Sequence, residues 1–296
     1  MNRSSPWIDQ IVQHRAPLQP IPTDIKPKLV EIPAIRAVIF DVYGTLVVSG
    51  SGDVGSADVS QSTDHISDAF QACGVSLDSD STPTLASLKK LISETNLAAK
   101  SDACPKPEVD IVDIWRRLLT QHGLTQIAGD TEQVVRIATA YEARANPTWP
   151  MPGAAELLAE LKSSGKILGI VSNAQVFTPA LVEEICDAAS LEEAGFQLDL
   201  SLFSNRFRQS KPGPRLFEVL VDSLARRKIL PQEAIYVGND MLNDVYAASV
   251  AGLRTAWFVG DARSCRPRTD DVRCQNLQPD LVLTNLPELP NCLRLH

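Results

Sequence analysis

No stretch of the 296 residues approaches the ~20 consecutive apolar positions that a membrane-spanning helix needs. The start, Met-Asn-Arg-Ser-Ser-Pro, lacks the apolar core of a secretory signal. Basic residues are short as well: 28 Lys and Arg face 36 Asp and Glu, for a formal charge of -8. A nucleic-acid partner, which requires a basic stripe, is therefore not expected, nor is a membrane partner. The same deficit means that an anionic small molecule must be drawn in by local groups and not by the field of the whole protein. Six cysteines are scattered without Cys-x-x-Cys spacing, as in a chain that keeps its thiols reduced in the cytoplasm. The four histidines, one of them the last residue, form no metal-ligand pattern. Internal repeats and low-complexity runs are lacking.

Against this plain background, one segment stands out. Arg36-Ala-Val-Ile-Phe-Asp41 is an apolar, partly β-branched run that ends abruptly in a carboxylate. In a parallel α/β sheet the carboxyl ends of the strands form the ligand crevice. A lone Asp there is costly to desolvate unless it is paired, hydrogen-bonded or bound to a metal. Gly44-Thr45 just beyond lets the backbone turn away, leaving the carboxylate facing a ligand; a simple turn-capping Asp is the plainer alternative.

The rest of the chain divides by composition. Residues 1–33 carry six prolines and little periodicity, and read as an extended arm. Residues 34–53 and 147–296 alternate apolar strand-like runs with helical stretches, which implies a doubly wound parallel sheet of α/β class. Strands are expected near 36–41, 166–171, 198–203, 234–238, 253–259 and 280–283. The glycines after Val48 suggest a hairpin or flap next to Asp41, with an ordinary loop as the alternative. Residues 54–146 read as helical throughout, with helices expected at 59–73, 84–97, 111–122 and 131–145. The proline-rich segment 146–153 reads as a rigid linker back to the core.

Four motifs occur in order. Asp41-Val-Tyr43-Gly-Thr-Leu follows the first strand, and Ser172-Asn173 follows the second. Ser210-Lys211-Pro-Gly-Pro opens a helix, and Gly238-Asn239-Asp240-Met-Leu-Asn243-Asp244 ends another strand. Together they resemble the signature of the haloacid dehalogenase superfamily of aspartyl-nucleophile hydrolases, over roughly residues 34–285. The resemblance implies a Rossmann-like core with an inserted all-helical cap acting as a lid. It implies Asp41 as nucleophile, Ser172 and Asn173 holding the transferring group, and Lys211 as its counter-charge. It also implies Mg²⁺, held by Asp41, the Tyr43 carbonyl and an acid from the fourth motif, Asp240 or Asp244. Asp244 alone also reads as a helix cap.

Two positions depart from the family pattern. Tyr43 stands where its phosphatases carry an acid–base Asp; a tyrosine, with an ordinary pKa near ~10, can donate a proton but is a poor base at neutral pH. Asn239 stands where many relatives have a metal-binding Asp. Asp-x-Tyr-Gly-Thr resembles the 2-haloacid dehalogenase branch, whose halide leaves without a proton, while the acidic fourth motif points to cation and phosphate. The expectation is a Mg²⁺-dependent phosphohydrolase acting on a small anionic metabolite. The alternatives are a metal-independent dehalogenase, and a member without turnover that binds a ligand or a protein. Arg116 and Arg117, beside Trp115, could reach an anion, but read better as the solvated face of a cap helix.

Overall fold

A computed structural model describes residues 7–50, 65–78 and 82–294. Its strands are β1 (Ala37–Phe40), β2 (Val47–Ser49), β3 (Thr148–Pro150), β4 (Ile167–Ser172), β5 (Phe196–Phe203), β6 (Ala234–Gly238), β7 (Arg254–Phe258) and β8 (Leu281–Leu283). Six of them form one sheet in the order β5-β4-β1-β6-β7-β8, with every neighbouring pair parallel. The chain builds outward from β1 through β4 and β5, then crosses back to β6 on the other side of β1. That reversal opens a crevice at the carboxyl ends of β1 and β6, the usual ligand position in such sheets.

Burial on both faces explains why β1 lacks a polar side. Val38 and Phe40 point into a cluster with Leu157, Leu158 and Leu161 of the helix Ala154–Ser163. Ala37 and Ile39 point into the opposite cluster, with Leu216, Phe217, Leu220 and Leu224 of the helix Arg215–Arg226. Each fully buried Leu or Phe is worth ~1.5–3 kcal/mol, so β1 is anchored from both sides.

The helical excursion leaves the core through β2 and returns through β3, and these two strands pair antiparallel, Val47 opposite Pro150 and Ser49 opposite Thr148. The glycine-rich turn after Val48 was expected to fold back locally; instead β2 takes its partner from the far end of the excursion. The 146–153 linker is correspondingly part strand. The rest of the expected flap, and residues 59–64 of the first expected cap helix, lie outside the described residues. The remaining cap helices are His65–Ala72, Leu85–Ala99, Ile111–Gln121, Thr125–Gly129 and Thr131–Ala145. Thr84, Asp110 and Asp130 cap three of them with side-chain oxygens.

The arm also departs from its expected form. It carries a short helix, Ile8–Gln13, whose Ile8 and Ile11 are buried against the core, and Lys28 pairs with Val282 on the edge strand β8. Six prolines hid this, because the helix lies between Pro6 and Pro17.

The cap has its own core around Trp115, which meets Phe70 and Tyr141 edge-on at 6.2 and 5.5 Å. Trp115→Ala should cost about 3–5 kcal/mol in urea-induced unfolding. Trp115→Phe should cost less, since the indole N–H has no hydrogen-bond partner among the described residues.

Candidate active site

Asp41 lies just past β1, with its backbone N–H bonded to the Val237 carbonyl of β6 at 2.9 Å. Lys211 reaches it from the loop that follows β5. The lysine Nζ donates to Asp41 Oδ1 at 2.8 Å, Asp244 Oδ1 at 2.5 Å, the Tyr236 hydroxyl at 2.8 Å and the Val171 carbonyl at 3.1 Å. Three N–H donors thus face four acceptors, and the ammonium is 2% exposed. Asn173 fixes the loop from below: its side-chain oxygen accepts the Lys211 backbone N–H at 2.8 Å.

Burial by itself would lower the proton affinity of Lys211, but the charges of Asp244 and Asp41 outweigh it and raise its pKa above the ordinary lysine value of 10.5. Asp244 is pushed up by burial against the pull of Lys211, to about 7. Burial, followed by the Asp244 charge, raises the Tyr236 hydroxyl well above its ordinary value. Tyr236 therefore stays neutral, donating to the Val171 carbonyl at 2.5 Å.

The fourth motif forms a π-helical turn, Met241–Tyr246, a form often found at functional sites. Asp240, not Asp244, caps it: Asp240 Oδ1 accepts the N–H groups of Leu242 and Asn243 at 2.8 and 3.0 Å. Asp244 instead turns back, accepting the Asp240 N–H at 2.9 Å while it holds Lys211. Gly238 makes room for this, since a Cβ there would lie 2.4 Å from Asp244 Cγ. Gly44, with φ +76°, allows the equally close approach of Ser264 and Asn239 beneath the turn after Asp41.

Asp41, Tyr43, Asn173, Lys211, Asn239, Asp240, Asn243 and Asp244 together line a cavity of about 30 Å³, room for an ion or one to two waters. Of the residues picked from sequence, Ser172 is not in this lining; it is fully buried, and its hydroxyl donates to the Asn173 carbonyl at 3.3 Å. The Tyr43 hydroxyl shares a hydrogen bond with Thr178 at 3.1 Å, on the side facing the cap. Asn239 Oδ1 accepts from Thr45 at 3.3 Å, and its amide donates to the Ser264 carbonyl at 2.6 Å. Arg116 and Arg117 are taken up inside the cap by Asp113 and Thr95.

Two residues of the site escaped sequence reading. Tyr236 had a usable signal, a phenol in an otherwise aliphatic buried strand, which must find a polar partner. Arg268 had none. Its guanidinium meets Asp240 at 2.6 Å only because Arg266 is sewn by backbone hydrogen bonds to Asn239 and Met241.

The model of the haloacid dehalogenase-like hydrolase family matches residues 35–252, about three quarters of the chain. The chain belongs to that family. Among characterised relatives, the phosphoserine phosphatase of Thermus thermophilus is 29% identical over 189 residues, covering 62% of this chain and 68% of that protein. The glyceraldehyde 3-phosphate phosphatase of Pyrococcus furiosus is 30% identical over 139 residues, 47% of this chain; the match spans 52% of that protein's length. The crystal structure of a 2-haloacid dehalogenase from Pseudomonas syringae pv. Tomato DC3000 superimposes with a TM-score of 0.53 at 20% identity, over 87% of this chain and 97% of that one. It shows the shared fold of the family, a parallel core sheet with added cap helices.

The cavity of this haloacid dehalogenase-like hydrolase is lined by hard oxygen donors of the kind a divalent cation takes, the carboxylates of Asp41, Asp240 and Asp244 and the side-chain amides of Asn173, Asn239 and Asn243, beside the Lys211 ammonium. Asp41 Oδ2 takes no hydrogen bond among the described residues, so one carboxylate oxygen is available.

Lys211→Met leaves two buried carboxylates without their cation, and at pH 8 should cost about 3–5 kcal/mol in denaturant unfolding. Without the lysine's pull the Asp244 pKa rises further above the value of about 7 that it has beside Lys211, so the loss should shrink as pH falls toward 7, with the variant's Asp244 taking up its proton first. In the alkaline range the sign reverses. A cation whose folded pKa is raised gives its full stabilisation below 10.5 and loses it as pH rises through the folded value. Wild type should therefore lose stability above pH 10.5 more steeply than the variant.

Proposed function

We propose that this protein is a Mg²⁺-dependent phosphohydrolase that removes phosphate from a small phosphorylated metabolite through Asp41. One observation carries the reading: Asp41 sits at the sheet's switch point, one carboxylate oxygen held by a buried lysine and the other without a hydrogen bond among the described residues. An oxygen nucleophile so placed is oriented without being consumed by its neighbours.

In the first step the unbonded oxygen of Asp41 attacks phosphorus, and the bond from phosphorus to the substrate's alcohol oxygen breaks, the departing alkoxide taking a proton from water. In the second, water attacks phosphorus and gives up a proton to solvent, the bond from phosphorus to Asp41 breaks, and inorganic phosphate leaves, restoring the carboxylate. Lys211 stabilises the negative charge throughout and keeps the attacking carboxylate in place. Asn173 holds the lysine's backbone, and the Tyr236 hydroxyl accepts from its ammonium. Asp41, the Tyr43 main chain and Asp240 would hold Mg²⁺, which when bound neutralises charge on the transferring group. The phosphatase activities of the T. thermophilus and P. furiosus relatives support the choice of substrate class. A cytoplasmic setting accords with six cysteines that form no disulfide.

Tyr43 favours a second reading, hydrolysis at carbon with a halide leaving group. Such a group departs without the proton that an aspartate at this position would supply.

A phosphomonoester panel, measured with and without Mg²⁺, tests the reading. Phosphate release should require the cation and should fall by about three orders of magnitude or more in Asp41→Asn. Release that persists in the variant would overturn the assignment of Asp41. Halide release from 2-haloacids, with no phosphate release, would establish the second reading instead.

A further inference from the structure

Asp240 has no lone pair to spare. Its Oδ1 accepts the two capping N–H groups of Leu242 and Asn243, and also Arg268 Nε at 3.2 Å. Its Oδ2 accepts the Asn243 side-chain amide at 3.0 Å, and Arg268 through Nε at 3.1 Å and a terminal nitrogen at 2.6 Å. Six contacts meet a carboxylate with about four lone-pair sites. A cation cannot coordinate it until a donor leaves.

The donors are not equally free to go. Leu242 and Asn243 begin the π-helical turn, and releasing them would leave its first N–H groups unsatisfied. Arg268 belongs to the loop after β7, and its side chain is 38% exposed, so water can take over the contacts its guanidinium makes with Asp240. Its backbone sits at φ +52°, an unfavourable region for a residue with a side chain. That conformation persists where the fork grips Asp240, two residues beyond the backbone bonds that tie Arg266 to Asn239 and Met241.

We infer that Arg268 is a built-in counter-cation for Asp240, which a divalent cation must displace before Asp240 can become its ligand. This role presupposes a cation-dependent hydrolase. It also accounts for the neighbouring position: Asn239 brings no charge, so the acid available at this edge of the cavity is one that already carries an arginine. The cation site is thereby held at low affinity, and Arg268 sets how low.

The test is calorimetric titration of MgCl₂ into the full-length wild type and Arg268→Gln, with the Mg²⁺-induced shift in Tm as a second readout. Arg268→Gln should bind Mg²⁺ about tenfold or more tightly than wild type, the scale seen when partners of metal ligands are changed. Adding Asp240→Asn to that variant should abolish the gain, because the freed carboxylate is then gone. Arg268→Lys serves if the glutamine variant does not fold. It keeps the charge but loses the planar fork, and should show a smaller gain. Equal affinity in wild type and Arg268→Gln, a gain that survives Asp240→Asn, or the absence of Mg²⁺ binding in both proteins would each overturn the role of Arg268. Mg²⁺-dependent phosphate release by wild type alongside equal affinities would sink this role and leave the hydrolase standing. Phosphate release indifferent to Mg²⁺ would instead remove the cation-dependent hydrolase itself.

Discussion

The site is organised around one buried ammonium. Lys211 has three protons to give, and four acceptors from four places in the chain converge on them: the end of β1, the end of β4, the middle of β6 and the π-helical turn. A charge buried this deeply is tolerated only when its hydrogen bonds are made, so each of those segments is held to its position by the same group. The small residues of the site follow from this. Gly238 lets Asp244 fold back onto the lysine, and Asn173 must present an acceptor to the lysine's own backbone. The same ammonium orients Asp41, so the constraint that holds the crevice together also sets the direction of its carboxylate.

Charge in the cavity is nearly balanced before any ligand arrives. Asp41 and Asp244 share Lys211, and Asp240 has Arg268. The substitution of Asn239 into the motif removes one negative charge at the cavity edge, and the arginine removes the effect of another. A divalent cation would therefore enter a site with weaker attraction for it than three bare carboxylates would have. A phosphorylated substrate, under the proposed function, would meet less repulsion for the same reason. Cation and substrate affinity would be coupled through this inventory, with the partly exposed Arg268 as its adjustable member.

The core was legible because its physics is local. Strands buried on both faces show as unbroken apolar runs, and a carboxylate at the end of such a run marks the crevice; β1 followed by Asp41 is the clear case. Helices with a single apolar stripe, such as Ile111–Gln121 with Ile114, Trp115, Leu118 and Leu119 buried, announce their period. What stayed hidden depended on distant partners. Nothing near Val47 says that it pairs with Pro150, a hundred residues on, and the glycines beside it suggested a local turn instead. Asp240 and Asp244 look alike in sequence, and only the fold back over Gly238 decides that one caps the helix and the other serves the lysine. Ser172 ends β4 as the pattern placed it, yet it is buried outside the cavity lining, with its hydroxyl on the Asn173 carbonyl. Arg268 becomes a member of the site through backbone pairing two residues earlier, a relation that no pattern of residue types records.

The cap is tied to the core through the segment that carries the lysine. Gln209 faces Pro107 in an isolated antiparallel bridge, Ser210 donates its N–H to Lys106, and Glu108 donates its own to Arg208. Gln175, two residues past Asn173, accepts the Ile111 N–H at 2.9 Å and donates to the Val109 carbonyl at 3.0 Å. The cap therefore rests on the two loops that supply Lys211 and Asn173, and not on a distant part of the sheet. A cap that moved as a lid would have to break these bonds, pulling first on the loop whose lysine orients Asp41. Arg15 of the arm ties to Glu184 on the core helix, and the arm's helix packs on the cap helix Thr131–Ala145, so a second strap spans the same junction. Two independent ties across one hinge favour a site that is assembled in the closed state and admits substrate by local opening. Under that arrangement, seating the cap and orienting Asp41 are one event, because both are transmitted through residues 208–211.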